Sequence, residues 1–203
     1  TWKSRGLGDV YKRQLFISLL FISCSKNSES NSINEDESLA SETEQLSNDY
    51  YEIYLLEQLN ENRGYCIDIK GSKLNADPDN GLQAHTCYSY QGEVSVDQGF
   101  DNVKIDEDEF YMPFFDVCME AENTSASSTL NLKGCNKNEK QKFKFNNNAE
   151  IVLNDNNNLC LTVSENSREG GGGTPTHLIR DLILDNCSTD ISTRQRWGLR
   201  KTQ

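Results

Sequence analysis

The chain has few basic residues, no long apolar run and no segment with the length and period of a helix. Lysine and arginine number 20 against 32 aspartates and glutamates, so the formal net charge is −12 over 203 residues. Such an acidic chain lacks the basic surface that nucleic acids require, and we expect neither DNA nor RNA as a partner. Hydrophobic residues make up 35% of the chain, which fits one modest globular domain with polar tails.

Motifs for metals and catalysis are also missing. Seven cysteines indicate an oxidising compartment or metal sites, but no Cys-x-x-Cys pair occurs and His85 and His177 lie far apart in sequence, so zinc fits poorly. The acidic residues 106–109 lack the alternating ligands of a calcium loop and are interpreted as a solvated turn. The segment "REGGGGTPTH", residues 168–177, lacks the Gly-Lys-Ser/Thr ending of a phosphate-binding loop and is interpreted as a flexible insertion. We predict no enzymatic activity and no cofactor.

The first 49 residues are expected to lie outside the folded part. Residues 1–14 show no apolar period and are interpreted as a foreign translated flank. Residues 25–49 consist mainly of serine, asparagine and glutamate, with almost no apolar residue. Such a segment buries too little surface to offset its ordering entropy, so we predict a disordered acidic tether.

Residues 15–24 are similar to a bacterial lipoprotein signal segment. The apolar run 15–22 is far too short to cross a bilayer as a helix, but it has the length of a signal-peptide core and follows two basic residues. It ends in "FISC", which resembles a lipobox, and the resemblance implies that Cys24 becomes the lipid-modified N-terminus. Phe21 departs from the usual leucine, and an ordinary secretory signal is the alternative. We expect a secreted or surface protein, such as a bacterial outer-membrane lipoprotein anchored through Cys24.

An internal repeat organises the rest of the chain. Aligning the six remaining cysteines gives three modules, each with a cysteine that opens an alternating run, a second cysteine, and a Gln-x-aromatic triplet. The modules read "GYCIDIKG…GLQAHTC…DQGF", "DVCMEAEN…LNLKGC…KQKF" and "NLCLTVSE…LILDNC…RQRWGL". The repeat predicts one disulfide within each module, namely Cys66–Cys87, Cys118–Cys135 and Cys160–Cys187. Because each of these cysteines has a partner in its own module, a catalytic pair of Cys87 and His85 is excluded.

The local pattern predicts strands throughout. The segments "EIYLLEQ", "CIDI", "LQAHTC", "EIVLND" and "LCLTV" are short, alternate or contain β-branched residues, and are bounded by Asn, Asp and Gly clusters. Three modules of several short strands fit a closed all-β domain with pseudo-threefold symmetry, because closure removes exposed strand edges.

The repeated motifs resemble those of the ricin B-type lectin family. The resemblance rests on Cys-x-Asp-Ile, Leu-Gln-x-(ring)-x-Cys and Gln-x-(Trp/Phe), and it covers residues 51–201. It implies a β-trefoil, in which six strands form a barrel and three hairpins cap it. It also implies that Phe100, Phe143 and Trp197 join a shared core.

In this family each module can hold one shallow sugar pocket, and the resemblance assigns its parts. A carboxylate accepts hydrogen bonds from two neighbouring hydroxyls, and a flat side chain stacks on the sugar ring. In the first module the carboxylate position is Asp68, the glutamine position is Gln83 and the ring position is His85. Asp97 stands where asparagine is frequent, and Gln98 opens the triplet.

The other two modules depart further from the pattern. The second module, a weaker candidate site, has Glu120, Asn131 and Lys133 at the carboxylate, glutamine and ring positions, and a lysine cannot stack as a ring does. The third module has Thr162, Ile183 and Asp185 at these positions and is not expected to bind sugar.

The sequence therefore predicts a lectin for galactose, N-acetylgalactosamine or related glycans and glycoproteins, with its main site in the first module. Two alternatives stay open. One is a β-trefoil that binds proteins, and the other is the binding module of a truncated carbohydrate-active enzyme. The sequence does not identify the sugar.

Overall fold

The computed structural model describes residues 50–88 and 96–201, which belong to one compact unit, Gln45–Gln203. The predicted flank, the signal segment with Cys24 and the acidic tether lie outside these residues. Within the described ranges, no helix has both the length and the apolar character needed to cross a membrane.

Strands are the main regular structure of the described chain, as predicted, and most of them are short. Among the described residues, one α-helical turn, α1 (Asn102–Ile105), and five 3-10 segments lie between the strands. The 3-10 segments are Lys73–Asn75, Pro78–Asn80, Val96–Gln98, Glu139–Gln141 and Thr189–Arg194. The strands are β1 (Tyr50–Leu55), β2 (Tyr65–Ile69), β3 (Leu82–Thr86), β4 (Phe100–Asp101), β5 (Tyr111–Met112), β6 (Val117–Ala121), β7 (Ser128–Lys133), β8 (Phe143–Phe145), β9 (Ile151–Leu153), β10 (Asn156–Glu169), β11 (Leu178–Asn186) and β12 (Trp197–Lys201).

Each module contributes one hairpin, and the three hairpins share one register. The residue pairs Asp68↔Gln83 on β2 and β3, Glu120↔Asn131 on β6 and β7, and Thr162↔Ile183 on β10 and β11 are equivalent. The ends of the barrel meet where β12 pairs antiparallel with β1. This arrangement confirms the β-trefoil with three pseudo-symmetric repeats.

One disulfide closes each hairpin with the predicted pairing, since Cys66 bonds Cys87, Cys118 bonds Cys135 and Cys160 bonds Cys187. The three aromatics of the Gln-x-aromatic triplets are buried at the shared core, as expected: Phe100 and Phe143 are 0% exposed and Trp197 is 1% exposed. Burying such large rings, each about 150–250 Å², supplies much of the apolar contact of a small β-domain.

A further repeated element escaped the sequence analysis. Each module contains a glutamate followed by an apolar residue, and the glutamate has a carboxylate oxygen within 4.8 Å of the disulfide sulfurs of its own module. Each glutamate also stands opposite a basic residue on the neighbouring chain segment. The pairs are Glu52↔Arg200, Glu109↔Lys142 and Glu150↔Arg196.

The third hairpin is longer than the other two. Strands β10 and β11 continue beyond the shared register to the pair Glu169↔Leu178, so residues 170–177 form the turn at its end. The segment interpreted as a flexible insertion is therefore the tip of an extended β-hairpin. Strand β11 also pairs with β3 of the first module, where Ile179 stands opposite His85 and Asp181 opposite Gln83. This pairing brings the third module against the predicted site of the first.

Candidate functional site

Three of the five residues predicted for the first-module site form one buried hydrogen-bonded set. Asp68 on β2 is 1% exposed. Its Oδ1 accepts a hydrogen bond of 2.9 Å from Gln83 Nε2, and its Oδ2 accepts one of 3.0 Å from Gln98 Nε2. The β2–β3 register places Gln83 directly across from Asp68, so the two side chains share one face of the hairpin.

Gln98 also joins this set to the backbone beside the disulfide. Its Nε2 donates to the Thr86 carbonyl at 3.1 Å, and its Oε1 accepts from the Tyr88 amide at 3.0 Å. The equivalent glutamines of the other modules bond in the same way. Gln141 donates to Glu120 Oε2 and the Gly134 carbonyl, and Gln195 donates to Thr162 Oγ1 and the Asn186 carbonyl. The triplet glutamine therefore positions the residue at the carboxylate position in every module.

Asp97 lies beside this set and is 0% exposed. Its Oδ2 accepts a hydrogen bond from the Lys73 backbone amide. Burial raises the pKa of Asp97 above its ordinary value. Burial also raises the pKa of Asp68 well above its ordinary value, the charge of Asp97 adds to this shift, and the two glutamine amides oppose it.

His85 on β3 is enclosed by two other rings. It is 3% exposed, and its Nδ1 lies 2.9 Å from the Thr86 carbonyl, which can only accept, so Nδ1 carries the hydrogen. The centroid of its ring is 5.1 Å from that of Tyr88 and 5.0 Å from that of His177, and the two histidines meet edge to face. Tyr88 and His177 are themselves 5.4 Å apart, so the three rings form a closed cluster.

Burial holds both histidines in their neutral form near pH 7. It lowers the pKa of His85 to about 4, the Thr86 carbonyl opposes this shift, and His177 adds to it. Burial also lowers the pKa of His177, and the positive charge of Arg63 contributes.

An ion pair of the first module holds the tip of the third hairpin through hydrogen bonds, and the sequence did not indicate this contact. Arg63 donates from Nη1 to the Pro175 carbonyl and from Nη2 to the Thr176 carbonyl, both at 2.9 Å. Its guanidinium is held by Glu61, whose Oε1 accepts from Nε at 2.8 Å and whose Oε2 accepts from Nη2 at 2.7 Å. No local pattern marks these partners, because more than a hundred residues separate Arg63 from the two carbonyls.

Glu61 links the same tip to β3. Its Oε2 accepts from Thr86 Oγ1 at 2.9 Å, and Thr86 Oγ1 in turn accepts from the Leu178 amide at 2.8 Å. Burial alone would raise the pKa of Glu61, but the hydrogen bonds from Arg63 and Thr86 lower it to about 2. A cavity of about 720 Å³ opens beside this ion pair, lined among others by Asn60, Glu61, Arg63, Glu169, Pro175 and Leu178.

The second-module candidates are more open and differently paired. The Glu120 side chain is 13% exposed, and Lys140 Nζ lies 3.8 Å from its Oε1. Its Oε2 accepts from both Asn138 and Gln141. Asn131 donates to Glu122 Oε2 at 2.5 Å rather than to Glu120, and Lys133 is exposed. The structure thus brings Glu120 and Asn131 onto facing strands without joining them.

The third module offers no carboxylate at the equivalent position. Thr162 is 1% exposed, donates to the Cys160 carbonyl and accepts from Gln195. Ile183 and Asp185 lie on β11 in the predicted register.

Comparisons with known proteins agree with this fold. The family model for the ricin-type β-trefoil lectin domain matches residues 56–197. The C-terminal half of the earthworm R-type lectin, solved with GalNAc, has a TM-score of 0.53 at 14% identity over 75% of this chain and 98% of that one. The designed threefold-symmetric protein ThreeFoil has a TM-score of 0.52 at 14% identity, over 74% of this chain and 96% of that one. A search of curated proteins found no match. The chain therefore belongs to the family of the ricin-type β-trefoil lectin domain.

Proposed function

We propose that the chain is a carbohydrate-binding lectin for galactose- or N-acetylgalactosamine-type glycans, with its main site at Asp68, Gln83 and His85. Family membership supports carbohydrate binding in general. The similar earthworm lectin half was solved with GalNAc, which supports this choice of sugar. Asp97 and Gln98 complete the site, and Glu120, Asn131 and Lys133 form a weaker second one.

The observation that carries the proposal is the hydrogen bonding of Asp68. A carboxylate has about four lone-pair sites, and the amides of Gln83 and Gln98 use one on each oxygen. Each oxygen therefore keeps a site for one sugar hydroxyl, and two adjacent ring hydroxyls match this spacing. In the second module, Glu120 already accepts two bonds on Oε2 and has Lys140 beside Oε1. The first module is thus the better acceptor.

Titration of galactose and N-acetylgalactosamine, followed by NMR chemical shifts or calorimetry, tests the site. One small pocket makes few hydrogen bonds, so we expect a Kd of roughly 1 mM, which corresponds to a binding free energy of about −4 kcal/mol. Asp68→Asn should abolish binding, because it replaces a charged acceptor of two hydroxyls by an amide with one acceptor oxygen. Thr162→Ala, at the equivalent position of the third module, should leave sugar binding as in the wild type.

Thermal melting of both variants controls for folding. Sugar binding that survives Asp68→Asn in a folded protein would contradict the first-module site and move the assignment to Glu120.

One observation favours a second function, namely a β-trefoil that binds protein partners. Asp68 and His85 are only 1% and 3% exposed, so the first-module pocket is closed as it stands. A sugar-independent partner would then use the outer surface of the domain. We would favour this second function if neither the wild type nor a variant with an opened first-module pocket binds any glycan on an array.

The proposal includes a surface location. The lipobox-like "FISC" supports a lipid anchor at Cys24, with residues 25–49 as a leash that lets the lectin domain reach glycans. The chain itself is proposed to bind and not to catalyse.

A further inference from the structure

We propose that residues 170–177, which we call the strap, are a gate over the first-module sugar site. In the closed position seen here, the strap occupies the place where a sugar would stack, so binding requires it to open. This inference rests on the proposed function, since it concerns regulation of the same site.

The closure is made by His177. Its ring meets the His85 ring edge to face at 5.0 Å and the Tyr88 ring at 5.4 Å. The three side chains bury one another: the exposed fraction is only 3% for His85, 7% for Tyr88 and 6% for His177. Because the His85 ring is almost fully covered in this cluster, a sugar can stack on it only after a covering ring has moved, and His177 is the covering ring that the strap carries.

The stem of the third hairpin is firmly attached to the first module. Arg180 donates to Asn60 Oδ1 at 2.7 Å, and its guanidinium lies 5.1 Å from the centre of the Tyr65 ring. Asn60 Nδ2 donates to Ser167 Oγ at 2.8 Å, on the opposite strand of the hairpin. The ladder between β11 and β3 fixes the same region. The stem therefore stays in place when the strap moves.

The strap itself is held by contacts at its end. The two hydrogen bonds from Arg63 to the carbonyls of Pro175 and Thr176 join it to the first module. Within the strap, the Gly170 amide donates to the His177 carbonyl at 2.7 Å and the His177 amide donates to the Gly172 carbonyl at 3.1 Å. These few bonds can break without disturbing the barrel.

Four consecutive glycines give the strap its freedom to swing. Gly172 and Gly173 have φ angles of 77° and 82°, a region that glycine adopts without steric cost. In the closed position Gly173 is also packed against His177. A Cβ on Gly173 would come within 2.5 Å of His177 Cδ2, whereas a Cβ on Gly171 would meet nothing within 4 Å. The closed strap thus requires glycine at 173 and tolerates alanine at 171.

Three variants test the gate by sugar titration. His177→Ala removes the ring that the strap packs against His85. Gly173→Ala disfavours the closed turn, because its Cβ would lie 2.5 Å from His177 Cδ2 and 2.8 Å from the Pro175 carbonyl oxygen at a φ of 82°. Both variants should therefore bind galactose at least about tenfold more tightly than the wild type, a shift of about 1.4 kcal/mol. Gly171→Ala is the matched control and should bind like the wild type. Adding Asp68→Asn to Gly173→Ala should remove the gained affinity, because the sugar that enters the opened site is proposed to bind that carboxylate.

The outcomes separate the gate from the site. Equal, Asp68-dependent binding in wild type, His177→Ala and Gly173→Ala would overturn the gate and leave the proposed site standing. A lack of sugar binding in wild type and in both opened variants, with intact folds, would contradict the proposed function at this site and the gate with it. The His177 amide donates to the Gly172 carbonyl within the closed strap, so faster hydrogen exchange at this amide in Gly173→Ala than in Gly171→Ala would show independently that the strap opens.

Discussion

At the scale of single residues, the glutamine of the Gln-x-aromatic triplet has the same task three times. Gln98, Gln141 and Gln195 are 0–1% exposed, and each hydrogen bonds to backbone groups on both sides of the second cysteine. Each also donates to the side chain at the carboxylate position, which is Asp68, Glu120 or Thr162. A buried amide that satisfies three partners is costly to remove, because all three lose their bonds at once.

We therefore predict that Gln195→Ala lowers the free energy of unfolding by about 3 kcal/mol. The change leaves Thr162 Oγ1, the Asn186 carbonyl and the Ser188 amide without the partner that each now has at 2.9 Å. Chemical denaturation with the disulfides intact should show a lower midpoint at unchanged slope. Gln58→Ala, which removes an exposed glutamine, is the control. A loss of equal size in the two variants would contradict the positioning role.

At the scale of elements, the third hairpin differs from its two counterparts because its tip contributes a histidine to a buried cluster of rings. The titratable and charged groups that face His85 are His177 on the strap, Tyr88 after β3, and Glu61 with Arg63 before β2. Lys73 approaches the far side of this cluster, with its Nζ 6.0 Å from the centre of the Tyr88 ring. Burial first, and then His177 and Arg63, disfavour a positive charge on His85 and lower its pKa, so the closed cluster needs neutral imidazoles.

Acidification should consequently loosen the strap. The pKa of His85 falls from 6.5 to about 4 in the closed structure, so its stabilising contribution is complete above pH 6.5 and is lost as the pH falls toward 4. The pKa of Glu61 falls from 4.5 to about 2, so the stabilising contribution of the Glu61–Arg63 pair is complete above pH 4.5 and is lost only as the pH falls toward 2. Between pH 6.5 and 4.5, protonation of the histidines therefore destabilises the closed strap while the ion pair is still present.

We expect hydrogen exchange at the His177 amide, which donates to the Gly172 carbonyl within the strap, to accelerate as the pH is lowered from 7 to 5, after correction for its intrinsic pH dependence. NMR titration of His85 should give a pKa near 4. Exchange is the better readout here, because acid also protonates Asp68, whose pKa is raised, and this would weaken sugar binding. In His177→Ala the acceleration should be smaller. A His85 pKa near 6.5 in the folded protein would contradict the closed cluster.

At the scale of the whole molecule, the β-trefoil joins sites that lie far apart in sequence. The third module covers the first, because β11 pairs with β3 and Arg63 reaches Pro175 and Thr176. The proposed lipid anchor would hold this domain at a surface through the acidic residues 25–49.

Expression of the native signal segment in a bacterium supplied with labelled palmitate tests the anchor. We expect label on the wild type and none on Cys24→Ala, because Cys24 is the proposed acceptor of the lipid. The other six cysteines are bonded in pairs, so they serve as an internal control against unspecific acylation. Label that persists in Cys24→Ala would refute the assignment.

Much of the fold could be predicted from the sequence because the repeat is local. Each disulfide joins cysteines no more than 27 residues apart, and the alternating runs beside them indicate the hairpin register directly. The family resemblance assigned Asp68 and Gln83 to one site, and the structure places them opposite each other on β2 and β3. The repeated glutamates Glu52, Glu109 and Glu150 were also present in the sequence, but they precede the first cysteine by differing lengths and were missed.

The sequence by itself determined the three modules and their disulfides, since these depend on spacing within about fifty residues and on alternation along each strand. The aromatic core was implied by the family resemblance of the repeated triplets. Only the tertiary structure decided that the first-module site is closed. A run of four glycines followed by Thr-Pro-Thr-His carries no strand period, so nothing local indicates where it lies. Its position follows from pairing between β11 and β3 and from the Arg63 hydrogen bonds, both of which join residues that lie far apart in the sequence.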